Sequence, residues 1–107
     1  MQEPIMVHRA VIPVVGIYYY TDKDVAKVKK ELHRILYKIE ESTAPSTYII
    51  ELFEYILDYP YILDAYKKFK EILERKVGEL TETVIRYVAL EKYQKLYDVT
   101  QKVKAIL

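Results

Sequence analysis

The sequence predicts an all-α protein: a four-helix, mostly antiparallel bundle over residues 21–107, preceded by an extended or β-stranded N-terminal arm over residues 1–20. Two observations lead to this prediction. From residue 22 onward, apolar side chains recur at steps of three and four, the period of a helix that buries one face. The segments that interrupt this period are short, so consecutive helices are expected to run antiparallel within one domain.

The arm, MQEPIMVHRAVIPVVGIYYY, has no helical period and is rich in Val, Ile and Tyr, which favour extended structure. Pro13 has no backbone N–H, so we expect an edge strand, or two short strands around residues 13–16. An arm this apolar needs cover, either from its own helices or from the arm of another subunit. The residues expected to make that contact are Val11, Val14, Tyr18 and Tyr20.

The first helix is predicted over Asp22–Glu41, with Thr21 as its N-cap and two aspartates in its first turn. Its apolar seam consists of Val25, Val28, Leu32, Ile35 and Ile39. On nearly the opposite side lies a basic stripe, whose members are also three and four apart: Lys23, Lys27, Lys30, Arg34 and Lys38. Such a stripe is either a solvated face or a surface that grips a phosphate backbone.

The second helix is predicted over residues 47–58, after a run of turn-forming residues and with Ser46 as its N-cap. Opposite its broad apolar face lies an acidic stripe that consists of Glu51, Glu54 and Asp58, and the helix contains no positive residue. An acidic face of this kind either docks against a basic one, in the same bundle or in a neighbouring copy, or holds a divalent cation.

A third helix is predicted to begin near Pro60, because proline suits the first turn of a helix and not its interior. A kinked continuation of the second helix is the alternative. If one helix ran from there to the C-terminus, its apolar stripe would shift by about 120° after Val77. A turn is therefore predicted at Gly78, as a C-terminal cap, with Thr81 or Thr83 as the next N-cap.

The last helix is predicted over about residues 83–105. Its seam is Ile85, Val88, Leu96, Val99, Val103 and Ile106. Lys92 falls on this seam, where a lysine more often snorkels to the edge or fixes register than acts as a base. His8 and His33, the two histidines of the chain, lie on different elements and predict no metal site.

The composition of the chain excludes several classes of function and indicates a type of source organism. Seventeen Lys and Arg stand against sixteen Asp and Glu, so no global charge favours nucleic acid or an anionic membrane. The absence of cysteine excludes thiolate catalysis and Cys-based zinc sites. No run reaches the ~20 apolar residues of a membrane helix, so a cytoplasmic location is expected. Abundant Ile, Tyr, Lys and Glu, with no Cys, Trp or Asn, are typical of a hyperthermophile or a virus of one.

Three functions are compatible with these features. The first is non-catalytic: a small interaction or assembly protein that acts as a homo-oligomer or as a subunit of a larger cellular or virion complex. The alternative is a nucleic-acid-binding or regulatory module that uses the basic stripe. The third is a magnesium-dependent nucleotide hydrolase, suggested by the spacing of Glu51 and Glu54, although no second acidic pair follows.

For the first of these functions we predict no catalytic residue, no metal and no cofactor. The expected partner is a second copy of the chain or another protein, with nucleic acid as the alternative partner. No membrane contact is expected, because no apolar run is long enough.

Overall fold

A computed structural model describes residues 5–43, 45–86 and 91–107 and, for Lys92, only the backbone. Two antiparallel strands come first and helices follow. The strands are β1 (Val7–Ile12) and β2 (Gly16–Thr21), and the helices are α1 (Asp22–Glu41), α2 (Ser46–Asp58), α3 (Ile62–Ala65), α4 (Lys67–Ile85) and α5 (Glu91–Ile106). The molecule is elongated, with principal extents of 58, 31 and 21 Å.

The prediction of an all-α, four-helix fold is wrong. Over the described residues the chain has a two-stranded sheet and five helices. The arm pairs with itself, from Val7 opposite Thr21 to Ile12 opposite Gly16, because two runs of β-branched and aromatic residues flank a tight turn. The predicted third helix is divided, since Tyr66 has a non-helical backbone (φ −128°, ψ 77°) between α3 and α4.

A tight turn over residues 13–15 joins the two strands. The Val15 N–H donates to the carbonyl of Ile12 at 3.3 Å, Pro13 occupies the second position and Val14 has a φ of 72°. These are the features of a type II turn, whose third position usually holds glycine because a positive φ crowds a Cβ atom. The two short strands expected around Pro13 are therefore present, and Val14 holds a strained backbone conformation.

Helix α1 has the predicted bounds because its N-terminal signals are local. The Asp24 N–H donates to the hydroxyl of Thr21, and the Thr21 N–H donates to the Asp24 carboxylate at 2.8 Å, which completes a capping box. The buried residues of α1 are Val28, Leu32 and Ile35, all from the predicted seam. Helix α2 begins one residue earlier than predicted: Ser46 lies inside it, and Pro45 is an N-cap without a side-chain hydrogen bond.

The turn predicted at Gly78 does not form, because α4 runs through Gly78 to Ile85. The apolar stripe of α4 does not shift at that point: Leu73, Val77 and Val84 are all buried. Burial of Val84 against the rest of the core outweighs the low helix propensity of glycine, which amounts to about 1 kcal/mol.

The two threonines predicted as N-caps lie inside α4. The Thr81 hydroxyl donates to the carbonyl of Val77 at 2.8 Å, and the Thr83 hydroxyl donates to the carbonyl of Glu79 at 3.2 Å. Both are bonds that a mid-helix threonine makes to the preceding turn. Of the seam predicted for the last helix, the buried residues are Leu96, Val99, Val103 and Ile106. Ile85 is exposed, and Val88 and the Lys92 side chain lie outside the described residues.

The four long helices form a bundle that is open along one side. Helix α2 packs between α1 and α5, and α4 packs on the other side of α5, whereas α4 makes few contacts with α1 and α2. Helix α5 runs parallel to α2, since Lys95 lies near Glu54 and Lys102 lies near Asp58. Helices α2 and α5 are not consecutive, and antiparallel steps between consecutive helices leave the second and the last helix of a bundle parallel.

Candidate interaction surfaces

The hairpin of β1 and β2 has an inner face that packs on the helices and an outer face that does not. On the inner face Ala10, Ile12 and Tyr20 are buried, and His8 and Tyr18 are half-buried. The outer face has five exposed residues, Val7, Arg9, Val11, Ile17 and Tyr19, and ends at the half-buried Thr21 opposite Val7. Its four apolar members retain between 54% and 68% of their accessible surface.

The outer face lacks the polar character of a solvated sheet face. An antiparallel sheet with one side in water usually alternates apolar residues inward with polar residues outward. Here Val11 pairs with Ile17 and Arg9 with Tyr19 across the two strands, so one charged side chain stands among four apolar ones. The basic stripe of α1, by contrast, covers its solvent side with lysine and arginine. The outer face therefore has the composition of a contact surface.

The inner face is fixed to α1 and α3 by a cluster around Tyr20. Its ring stacks on His8 and Tyr61, with centroid distances of 5.1 and 4.9 Å, and its hydroxyl donates to the Asp64 carboxylate at 2.9 Å. The His8 ring in turn contacts Asp22 at 2.9 Å. Burial, followed by the Asp64 hydrogen bond, raises the pKa of Tyr20, and burial raises the pKa of Tyr61 to about 12.

The structure separates the four arm residues that the sequence singles out. Val11 lies on the outer face and Val14, which is 87% exposed, lies at the tip of the turn. Tyr18 and Tyr20 lie on the inner face, and Tyr20 is part of the protein core. Sequence reasoning missed Ile17 and Tyr19, which the two-residue alternation across a turn at Pro13 would have placed beside Val11.

All five members of the basic stripe are exposed on α1. Arg34 donates to Glu31 of the same helix at 2.9 Å and to Glu51 of α2 at 2.6 Å, so it joins two helices. Hydrogen bonds to these two carboxylates raise the pKa of Arg34. The remaining members, Lys23, Lys27, Lys30 and Lys38, form no ion pair with a residue that the structure describes.

The acidic stripe is largely paired within the bundle. Glu51 contacts Arg34, and Glu54 lies 3.3 Å from the ammonium group of Lys95 on α5, while Asp58 is exposed. These pairs are solvent-accessible, so they contribute little to the stability of the fold. Among residues 5–43, 45–86 and 91–107, no group of three acidic or histidine side chains is placed to hold a metal ion.

An apolar groove of about 270 Å³ lies between α4 and the α1–α2 pair, on the open side of the bundle. Half-buried or exposed apolar residues from all three helices line it: Leu36, Ile39, Ile49, Phe69, Ile72 and Leu80. Lys76 and Glu79 of α4 also border it. The sequence does not predict this groove, because it depends on how far apart three separate helices stand.

Two further findings bear on partners. None of the helices in the described parts of the chain combines the length and apolar character that crossing a membrane requires. No protein-family model, curated protein or solved structure matches this chain.

Proposed function

We propose that this protein is a non-catalytic assembly protein that binds a second copy of itself through the outer face of its hairpin. The observation that carries the proposal is the exposure of Val7, Val11, Ile17 and Tyr19 on one sheet face. Ile5, Met6 and the tip residues Val14 and Val15 are also exposed and extend the apolar surface of the hairpin. An exposed apolar surface of this kind is typical of a contact with another protein.

The turn at the tip of the hairpin supports the same conclusion. Val14 is a β-branched residue with a φ of 72° and is 87% exposed. Neither the backbone preference of valine nor packing within the chain accounts for a valine at this position. Strained residues concentrate where a surface binds something else, so an apolar contact with another molecule explains its presence.

The edges of the sheet are also open to a partner. The sheet has only β1 and β2, so each strand leaves one row of backbone N–H and C=O groups without a strand beside it among the described residues. Proteins usually protect such edges with lysine or proline along the strand. Here Pro13 lies in the turn and the strands themselves carry no lysine. A second chain can therefore approach both the outer face and its margins.

The experiment is light scattering on the purified chain over a wide range of concentrations, with two matched variants. Ile17→Lys places a charge on the outer face, and Ile85→Lys places the same charge at an exposed isoleucine elsewhere, 58% exposed against 54%. We expect the wild type and Ile85→Lys to associate as concentration rises and Ile17→Lys to remain monomeric. Circular dichroism of all three confirms equal folding. A monomeric wild type, or equal association of the two variants, contradicts the proposal.

A second candidate function is nucleic-acid binding through α1. The observation that favours it is the exposure of Lys23, Lys27, Lys30 and Lys38 without an ion-pair partner among the described residues, on one side of a 20-residue helix. Tyr37, 62% exposed, lies beside them. Free lysines along one helix face can follow a phosphate backbone, and an exposed tyrosine can stack on a base.

This second function is tested by measuring affinity for single- and double-stranded DNA across a salt series. The double variant Lys27→Ala/Lys30→Ala is compared with Lys67→Ala/Lys68→Ala, which removes two exposed lysines from α4. We expect the first variant to bind more weakly and to lower the salt slope by about 2, since each phosphate contact contributes about 0.9. The α4 variant is expected to have the affinity and the salt slope of the wild type. Equal affinities and slopes in the two variants would contradict nucleic-acid binding through α1.

A further inference from the structure

We infer that the second copy receives the outer face in its groove between α4 and the α1–α2 pair, so that copies join head to tail. The inference rests on the proposed function, because it names the surface that receives the hairpin. The two surfaces lie at opposite ends of α1: β2 leads directly into Asp22, whereas Leu36 and Ile39, near the C-terminal end, line the groove. The hairpin and the groove are separate surfaces of one chain, because Val11 and Pro13 border a different pocket beside residues 67–74 of α4. Every added copy therefore leaves one hairpin and one groove free.

The two surfaces match in length and in polarity. The groove follows residues 69 to 83 of α4, a rise of about 21 Å at 1.5 Å per residue. A six-residue strand such as β1 or β2 spans about 20 Å. The outer face is apolar apart from Arg9, and the groove is apolar apart from its border, so contact buries apolar surface on both sides.

Charge favours the groove over a second hairpin as the receiving surface. Arg9 lies in the middle of the outer face, between Val7 and Val11 and opposite Tyr19. A two-fold contact between two outer faces would bring two Arg9 side chains together, and like charges across an interface are unfavourable. The border of the groove carries both signs of charge, Lys76 and Glu79, and the Glu79 carboxylate is the partner we assign to Arg9. A hairpin–hairpin dimer would also leave both grooves uncovered.

The test combines variants that each block one surface. Ile17→Lys blocks the hairpin, and Ile72→Lys blocks the groove at a residue that is already 43% exposed. For a head-to-tail contact, each variant alone is monomeric, whereas an equimolar mixture forms a one-to-one heterodimer from the intact hairpin of one and the intact groove of the other. The wild type is expected to grow continuously with concentration instead of stopping at a dimer.

The outcomes separate this inference from the proposed function. A wild type that stays monomeric at every concentration removes both. A wild type that stops at a dimer, an Ile72→Lys variant that associates like the wild type, or a mixture that forms no heterodimer removes the groove as the receiving surface and leaves the hairpin contact intact.

A charge exchange tests the same contact with substitutions at exposed positions only. Glu79→Lys is expected to weaken self-association about fivefold, the effect of losing one exposed ion pair. Arg9→Glu is expected to weaken it by a similar factor, and the two changes together to restore it. If the double variant associates no more tightly than either single variant, Arg9 does not pair with Glu79. The outer face then does not lie in the groove.

Discussion

Tyr20 of β2 donates its hydroxyl hydrogen to the Asp64 carboxylate of α3 at 2.9 Å, across 44 positions of the sequence. The same ring stacks on Tyr61 at 4.9 Å with an angle of 9° between the planes. These two contacts connect the hairpin to a segment that lies beyond α1 and α2. The orientation of the outer face therefore depends on them, together with the contact of His8 with Asp22 and the burial of Ala10 and Ile12.

The first prediction concerns this hydrogen bond. Tyr20→Phe keeps the stacked ring and removes the hydroxyl, so we expect the free energy of unfolding to fall by about 1 kcal/mol. Urea denaturation of the wild type, Tyr20→Phe, Asp64→Ala and the double variant measures the coupling between the two groups. The double variant is expected to lose less than the sum of the two single losses. Strict additivity would show that the bond does not stabilise the fold.

The second prediction is a loss of stability at alkaline pH. Burial raises the pKa of Tyr61 from 10.0 to about 12, and it also raises the pKa of Tyr20, Tyr55 and Tyr66. Because the folded state holds these protons more tightly than the unfolded state, their contribution is complete below about pH 10. It is lost as the pH rises from about 10 to about 12.

The measurement is the free energy of unfolding in urea over that pH range, for the wild type and for Tyr61→Phe. The variant cannot form a tyrosinate at this position, so its stability is expected to decline less steeply with pH. Tyr37→Phe, at a ring that is 62% exposed and lies outside the hairpin, serves as the control and is expected to follow the wild type. Parallel curves for the wild type and Tyr61→Phe would contradict the prediction.

The third prediction concerns the two glycines. An ideal Cβ atom at Gly78 meets nothing within 4 Å, and this residue lies inside α4 with ordinary helical geometry. Gly78→Ala is therefore expected to raise the free energy of unfolding by about 0.5–1 kcal/mol. Gly16 also has free space around it, but its φ of 121° is unfavourable for alanine. Gly16→Ala is expected to destabilise the protein by about 1 kcal/mol or more.

Gly78→Ala also discriminates between the two chain paths that the sequence allows. If the chain turned at Gly78 with the positive φ of a C-terminal cap, as the sequence alone predicts, alanine would be destabilising at that position. Thermal and urea denaturation of both glycine variants give the signs of the two changes. A loss of stability in Gly78→Ala would argue for the turn and against a continuous α4.

The elements that the sequence predicts well are those determined by neighbouring residues. The capping box of Thr21 and Asp24 and a regular seam are local, and α1 has the predicted bounds. The strands around Pro13 follow equally from a turn former between two β-rich runs. At Gly78 the local signal fails, because the burial of Val84 keeps α4 helical. That burial depends on the tertiary packing of the whole core, which no local pattern contains.

The residues of the candidate interaction surfaces are likewise only partly predictable from local sequence. The sequence groups Val11, Val14, Tyr18 and Tyr20 as candidate contact residues of the arm, whereas in the structure Val11 and Val14 are exposed and Tyr20 is buried. The distinction requires the register that pairs Val11 with Ile17, since a shift of one residue exchanges the two faces. The sequence offers docking of the acidic stripe against a basic one as an alternative, and Arg34 pairs with Glu51 in this way. The groove depends on the spacing of three helices, which the sequence does not predict.

The fourth prediction is that stability and self-association change in opposite directions at Val14. Asparagine tolerates a positive φ better than a β-branched residue does, so Val14→Asn is expected to raise the stability of the monomer by about 1 kcal/mol. The same change removes an apolar side chain from the tip of the hairpin, so we expect weaker self-association. Denaturation is measured at a concentration where the wild type is monomeric, because association itself stabilises the folded state.

Val15→Asn provides the matched control for Val14→Asn. Val15 is also an exposed turn residue, at 40%, but it is not among the residues with a positive φ. The control is expected to weaken association without the gain in stability, because there is no backbone strain to relieve. If Val14→Asn lowers the stability of the monomer, the strain at this turn is not what limits stability. If it leaves association unchanged, the tip does not take part in the contact, and the interface is confined to the strands.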